Sequence, residues 1–199
     1  MKRILAALLI VLLVVSVTAC GKSGSNSDTK TDTQSTADQQ NSVVSSTPNE
    51  KNADGESVFT TDKLDITLPE GYHLSNNLIP EGSDVDMIIT DAQDNVGLMF
   101  IEEPLTNFAG SEISSLDDYL SWQHDNVPGT NVSEITEADG MKSFTYTFLN
   151  TDLGYTYKYY TTAKASDTAD WTIQGFCLES QYDANEANFI RWINSIKFK

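Results

Sequence analysis

Hydrophobic positions divide the chain into three unlike stretches. An unbroken apolar run from Ile4 to Val15 comes first. Residues 21–57 follow, with no aromatic residue and Val43 and Val44 as the only large aliphatics. From residue 58 to residue 199 apolar positions recur at intervals that specify secondary structure.

In that last stretch Leu64, Ile66 and Leu68 alternate with polar residues ahead of Pro69-Glu70-Gly71, which predicts a strand running into a turn. Val85–Thr90 and Val96–Ile101 flank Asp91–Asn95 and predict a hairpin. The segment Leu98-Met99-Phe100-Ile101 is apolar on both faces, so its sheet requires cover above and below. Two helices are available to supply it. Ser114 to Asp117 has capping-box spacing, Leu116, Tyr119 and Leu120 form an i, i+3, i+4 stripe, and Pro128-Gly129 stops the helix. The second helix is expected over 183–194, where Phe189, Trp192, Ile193 and Ile196 share a face.

Strands are expected near 131–137, 142–149, 155–163 and 171–178, separated by the turn signals Asp139-Gly140, Asn150–Gly154 and Ala165–Asp170. Uninterrupted strand, turn, strand order implies an antiparallel meander. With a short last strand at Lys197-Phe198, the sum is an α+β domain: a central antiparallel sheet flanked by helices.

Four segments carry a family resemblance. Leu64-Asp-Ile-Thr-Leu-Pro-Glu-Gly-Tyr72, Ser115-Leu-Asp-Asp-Tyr119, the aromatic stretch Phe144 to Tyr160, and Phe189 to Phe198 together resemble the Mog1/PsbP-like fold over residues 58–199. The resemblance implies an α-β-α sandwich with helices on both sheet faces, and protein binding or assembly support without catalysis. The group includes photosystem II extrinsic subunits, a Ran-binding transport factor and bacterial lipoproteins. No photosystem-specific or Ran-specific segment is present to carry either partner over, and fold analogy alone assigns no function.

The first stretch reads as an address. Lys2 and Arg3 precede the apolar run, and Ser16 and Thr18 interrupt it before it reaches the ~18 residues a membrane span needs, so residues 1–19 are read as a secretory signal. Val17-Thr18-Ala19-Cys20 resembles the bacterial lipobox. That resemblance implies a diacylglyceryl group on the Cys20 thiol, cleavage in front of it, and a lipid anchor in the cell membrane with the protein on the extracytoplasmic face. Two acyl chains, at about 0.8 kcal/mol per buried methylene, hold such an anchor stably. Residues 20–57 then form a lipidated cysteine and a Ser/Thr/Asp-rich spacer expected to be disordered. A coil of that length spans about 35 Å on average and about 125 Å when extended.

Charge narrows the partners. The chain carries 12 Lys plus Arg against 29 Asp plus Glu, a net of −17, and residues 58–199 alone hold seven bases and 23 acids, a net of −16. Nucleic acid is excluded as a partner, because phosphate binding depends on clustered cations. The same surface is repelled by anionic headgroups, so the membrane is reached through the N-terminal lipid and not through the domain.

Candidate chemistry is sparse. With Cys20 acylated, Cys177 is the one thiol left, and its apolar strand marks it as a core residue. Neither G-x-S-x-G nor H-E-x-x-H occurs, and His124-Asp125 is explained by a helix C-terminus. No cofactor motif is present, and the chain is read as a non-enzyme. Asp84, Asp86, Asp91 and Asp94 are the candidates for a calcium site, although Asp91-Ala-Gln-Asp94 breaks EF-hand spacing at its third ligand. Tyr155, Tyr157 and Tyr159 share one strand face, and with Trp171 they are the candidate binding surface. Such a row either forms an aromatic platform or packs under a helix with its hydroxyls at the rim. Asn131-Val-Ser133 matches a glycosylation sequon, which carries little weight behind a bacterial lipobox.

Two expectations result. The first is a lipid-anchored envelope module that binds or assembles an unidentified envelope protein without catalysis. The alternative is a solute- or calcium-binding lipoprotein.

Overall fold

A computed structural model describes residues 51–52 and 55–199; Val17, Thr18, Ala19, Cys20 and nearly all of the expected spacer lie outside the described residues. The first element, β1 (Glu56–Thr60), pairs antiparallel with β2 (Leu64–Pro69), with Val58 opposite Thr67. A short β10 (Lys197–Phe198) flanks β2 on its other side. These strands make a small sheet of order β1-β2-β10, where sequence periodicity pointed to a single central sheet. β1 also begins two residues before the boundary expected from composition, because Glu56 is a polar residue that the fold buries.

The main sheet is wholly antiparallel. It contains β3 (His73–Leu74), β4 (Met87–Thr90), β5 (Gly97–Pro104), β6 (Thr136–Ala138), β7 (Met141–Asn150), β8 (Tyr155–Ala165) and β9 (Ala169–Leu178), ordered β3-β4-β5-β9-β8-β7-β6. The expected meander is β6 to β9, and the hairpin β4–β5 joins it through β9, with Phe100 opposite Ile173. The first meander strand is shorter than expected. Thr130 bridges Thr147, but Asn131 at φ 53° turns the chain off the ladder, which resumes only at Thr136. Asp139 and Gly140, both at positive φ, close the two-residue β6–β7 turn that their sequence predicts.

Helices cover both faces. α2 (Tyr182–Asn194) lays Phe189, Trp192 and Ile193 against Leu64, Ile66 and Leu68 of β2 and against Leu98 and Ile173 of the main sheet. α1 (Leu116–Asn126) lays Tyr119 and Leu120 on the opposite face, against Met99, Phe144, Tyr159 and Phe176. β5 therefore sends Leu98 and Phe100 into one core and Met99 into the other, which is why it reads as apolar on both faces. The α1 cap sits one residue later than its spacing suggested. Ser115 accepts from the Asp118 amide at 3.1 Å, and Asp118 accepts from the Ser114 amide at 3.1 Å and hydroxyl at 2.7 Å. Among the described residues no helix is long and apolar enough to cross a membrane.

Candidate functional site

The tyrosine row is split by its position in the sheet. β8 lies between β7 and β9, and Tyr157 and Tyr159 belong to the core cluster that holds Tyr119 and Leu120 of α1. Tyr157 and Tyr159 are buried, and the Tyr159 ring stacks on Tyr146 with centroids 4.7 Å apart and planes within 3°. Burial raises the pKa of both phenols, with the neighbouring phenols adding to it. Tyr155, at the outer end of the strand, is the exposed member. Trp171 is on the other face of the sheet, buried, with Phe198 stacked on it at 5.0 Å and its indole donating to Ser166 Oγ at 3.3 Å. Of the four residues named for an aromatic surface, Tyr155, Tyr157, Tyr159 and Trp171, only Tyr155 has an exposed ring.

The four aspartates do not converge either. Asp84 is exposed. Asp86 accepts from the Glu102 amide at 2.7 Å and pairs with Lys63 at 3.0 Å, and Lys63 also bridges to Glu102. Asp91 caps its own turn, accepting from the Asn95 amide at 2.8 Å. Asp94 accepts from Thr90 at 2.5 Å and Ser75 at 2.9 Å. Asp86, Asp91 and Asp94 each serve a turn or a strand end, and among the described residues no group of three or more His, Cys, Asp or Glu side chains could hold a metal ion.

The potential nucleophiles are closed in. Cys177 is fully buried, and burial pushes its thiol up to about 12 despite the Lys158 charge nearby. The structure does bring a serine, a histidine and an acid together, a grouping invisible in sequence spacing. His73 Nε2 lies 3.3 Å from Ser75 Oγ and 3.7 Å from Asp94 Oδ1. A hydrolytic triad places the imidazole between acid and nucleophile, with the hydroxyl open to substrate. Here the acid takes the Ser75 hydroxyl directly and Ser75 is 0% exposed, so the cluster pins β3 to the β4–β5 turn. His124 is also occupied: Nδ1 is 3.1 Å from Asp125 and Nε2 is 3.0 Å from the Ser133 carbonyl.

One concave feature was not foreseen. A cavity of about 320 Å³ opens where the first turn of α1, the β6–β7 turn, the end of β8 and the last residue of α2 meet. Leu116, Leu120, Met141 and Ala163 give it apolar walls, and Lys142 and Lys164 bring cations to it. Lys142 is paired with Asp117 at 2.5 Å. Lys164 donates to the Ile193 carbonyl at 2.9 Å, and burial lowers its pKa. Its lining comes from five elements between residues 116 and 194, so no local motif announces it.

The class defined by these observations is an α+β sandwich with an antiparallel sheet, a helix on each face and its reactive side chains tied into the structure. No family model matches the sequence, and no curated protein matches it. Among solved structures the chain is similar to cyanobacterial PsbP (CyanoP) from Synechocystis sp. PCC 6803, at 12% identity and TM-score 0.45, covering 78% of this chain and 99% of that one. It is also similar to LpqN, involved in cell envelope biogenesis of Mycobacterium tuberculosis, at 15% identity and TM-score 0.41, covering 77% and 99%.

Proposed function

We propose that this chain is a bacterial lipoprotein, held by acyl groups on Cys20 at the extracytoplasmic face of the cell membrane, whose domain is a non-catalytic protein-binding or assembly module. The observation that carries the non-catalytic part is the condition of the two side chains best suited to attack a substrate. Cys177 and Ser75 are both 0% exposed, one in a core strand and the other bonded to Asp94. A nucleophile must meet its substrate and be activated by a base, and neither side chain does so here. The anchor part rests on Val17-Thr18-Ala19-Cys20 behind an apolar run, and the acidic surface supports a partner held by shape and hydrogen bonding instead of by anionic lipid.

The test uses full-length chain in a lipoprotein-processing bacterium. Wild type should incorporate labelled palmitate and sediment with membranes, whereas Cys20→Ser should lose the label; unlabelled wild type overturns the anchor. Crosslinking in intact cells, against a control keeping residues 1–57 fused to an unrelated domain, should recover a specific envelope protein. Recovery of the same set from both overturns the binding module.

A further inference from the structure

Of the eight Lys and Arg side chains among the described residues, five pair with carboxylates of the chain, one lies over an aromatic ring and Lys197 is exposed on β10. Among the described residues Lys51, Lys63, Lys142, Arg191 and Lys199 each lie within 3.2 Å of a carboxylate oxygen, and Lys158 sits 4.0 Å from the centroid of the Tyr182 ring. Lys164 differs. It is partly buried, it lines the cavity between α1 and the β6–β7 turn, and no carboxylate of the domain answers it. Its hydrogen bond to the Ile193 carbonyl uses one of three ammonium donors. A half-buried ammonium with one carbonyl acceptor and no counter-charge, at the wall of a cavity in an acidic protein, is the feature to be explained.

The cavity supplies the explanation. Its volume of about 320 Å³ falls at the small end of ligand sites. Leu116, Leu120, Met141 and Ala163 offer a small apolar group somewhere to lie, and Asn194 adds a neutral polar group. Asp117 is already engaged by Lys142. Glu137, also in the lining and exposed, together with the charge of −16, disfavours a ligand with several negative charges. We propose that this cavity binds a small monocarboxylate with a short branched apolar tail, its carboxylate on Lys164 and its tail against Leu116, Leu120 and Met141. The lowered pKa of Lys164 fits the same picture, since an incoming carboxylate would restore the charged form. This goes beyond the anchored-module reading, and either can fail without the other.

The probe is isovalerate, with isovaleramide as its neutral isostere and inorganic phosphate as the multivalent anion. Each is titrated into the full-length chain in non-ionic detergent while the methyl resonances of Met141 and Leu120 are followed by NMR. Isovalerate should shift both saturably, with Kd on the order of a millimolar for so small a ligand. Isovaleramide should bind roughly tenfold or more weakly, because it cannot form the charge-assisted hydrogen bond. Phosphate should leave the methyls unmoved. Lysine ¹³Cε titration should show the Lys164 pKa rising when isovalerate is bound. Lys164→Met should weaken isovalerate by roughly the same tenfold and leave isovaleramide unchanged. No saturable shift with isovalerate, equal binding of the amide by the wild type, or phosphate competing at the same methyls would each overturn the proposal, and the wild-type comparison holds even if the variant misfolds.

Discussion

The indole of Trp192 donates its Nε1–H to Glu56 Oε1 at 2.8 Å across 136 positions of sequence, at the point where β1 begins. Arg191 reaches the same oxygen through Nη2 at 2.5 Å and Nε at 3.2 Å. Asn52 donates to the other carboxylate oxygen at 2.9 Å. Glu56 is 2% exposed and thus joins the start of the folded domain to the last helix turn that covers its core.

Removing that junction should be costly. Glu56→Gln keeps the size but loses the charge that strengthens hydrogen bonds from three side chains, and should lower stability by about 2 kcal/mol, the scale of hydrogen bonds to an ionised group. Urea unfolding followed by tryptophan fluorescence measures it. pH should act on the same group. Burial alone would raise the Glu56 pKa, but hydrogen bonds from Arg191, Asn52 and Trp192 outweigh it and leave it lowered. A lowered folded pKa means the contribution is complete above the ordinary value near 4.5 and is lost as pH falls through the folded one. The acid limb of the wild-type stability curve should therefore be steeper than that of Glu56→Gln, and identical limbs would contradict the assignment.

The α2 face has little room at Gly175. A Cβ built there meets the Phe189 ring at 2.5 Å. Gly175→Ala should push the helix off β9 and cost about 1–3 kcal/mol, the range for overpacking a close-packed core. Phe189→Leu in the same chain should recover part of that loss, because the flat ring is the obstacle. A thermal melt of the single and double variants decides the matter: additive losses would place the strain elsewhere.

His124 is held between two acceptors. Only the imidazolium can donate from Nδ1 to Asp125 and from Nε2 to the Ser133 carbonyl at once. The hydrogen bond to Asp125 is the main cause raising its pKa, burial opposes it, and the Ser133 carbonyl and the charge of Glu134 add to it. The Phe144 ring, edge-on at 5.0 Å, contributes no charge. A raised folded pKa stabilises below the ordinary value near 6.5, and that contribution disappears as pH rises through the folded value. Amide exchange at Thr145, whose N–H donates to Ser133 Oγ at 2.9 Å, should accelerate across that window in wild type and be pH-flat, after correction for intrinsic exchange, in His124→Asn.

Which features could be read from sequence follows from how local their causes are. The α1 stripe, the β4–β5 hairpin, the Asp139-Gly140 turn and the doubly buried Leu98–Ile101 depend on near neighbours, and all are found where their patterns point. β1 was missed because its buried acid is made tolerable by Arg191 and Trp192, far away in the chain. The tyrosine row was legible as one face but not as covered or open, since that depends on β8 lying inside the sheet under α1. The cavity is less legible still: Leu116, Met141, Lys164 and Asn194 share no spacing rule, and only the meeting of two helices at one end of the sheet brings them together.

Cysteine stoichiometry offers a single measurement that reaches both ends of the protein. In the native state Cys177 is enclosed and burial pushes its thiol up to about 12, so at pH 8 it stays a buried, protonated thiol. Full-length chain purified from membranes should consume no Ellman's reagent before denaturation. In concentrated urea the count turns on Cys20. A thioether to diacylglycerol leaves Cys177 alone to react, giving one thiol per chain, while an unmodified Cys20 gives two. Cys177→Ala should bring the denatured count to zero if the lipid is present and to one if it is not. A native protein that reacts at once, with Cys20→Ser unable to abolish the reaction, would mean that the β9 core opens on the timescale of the assay.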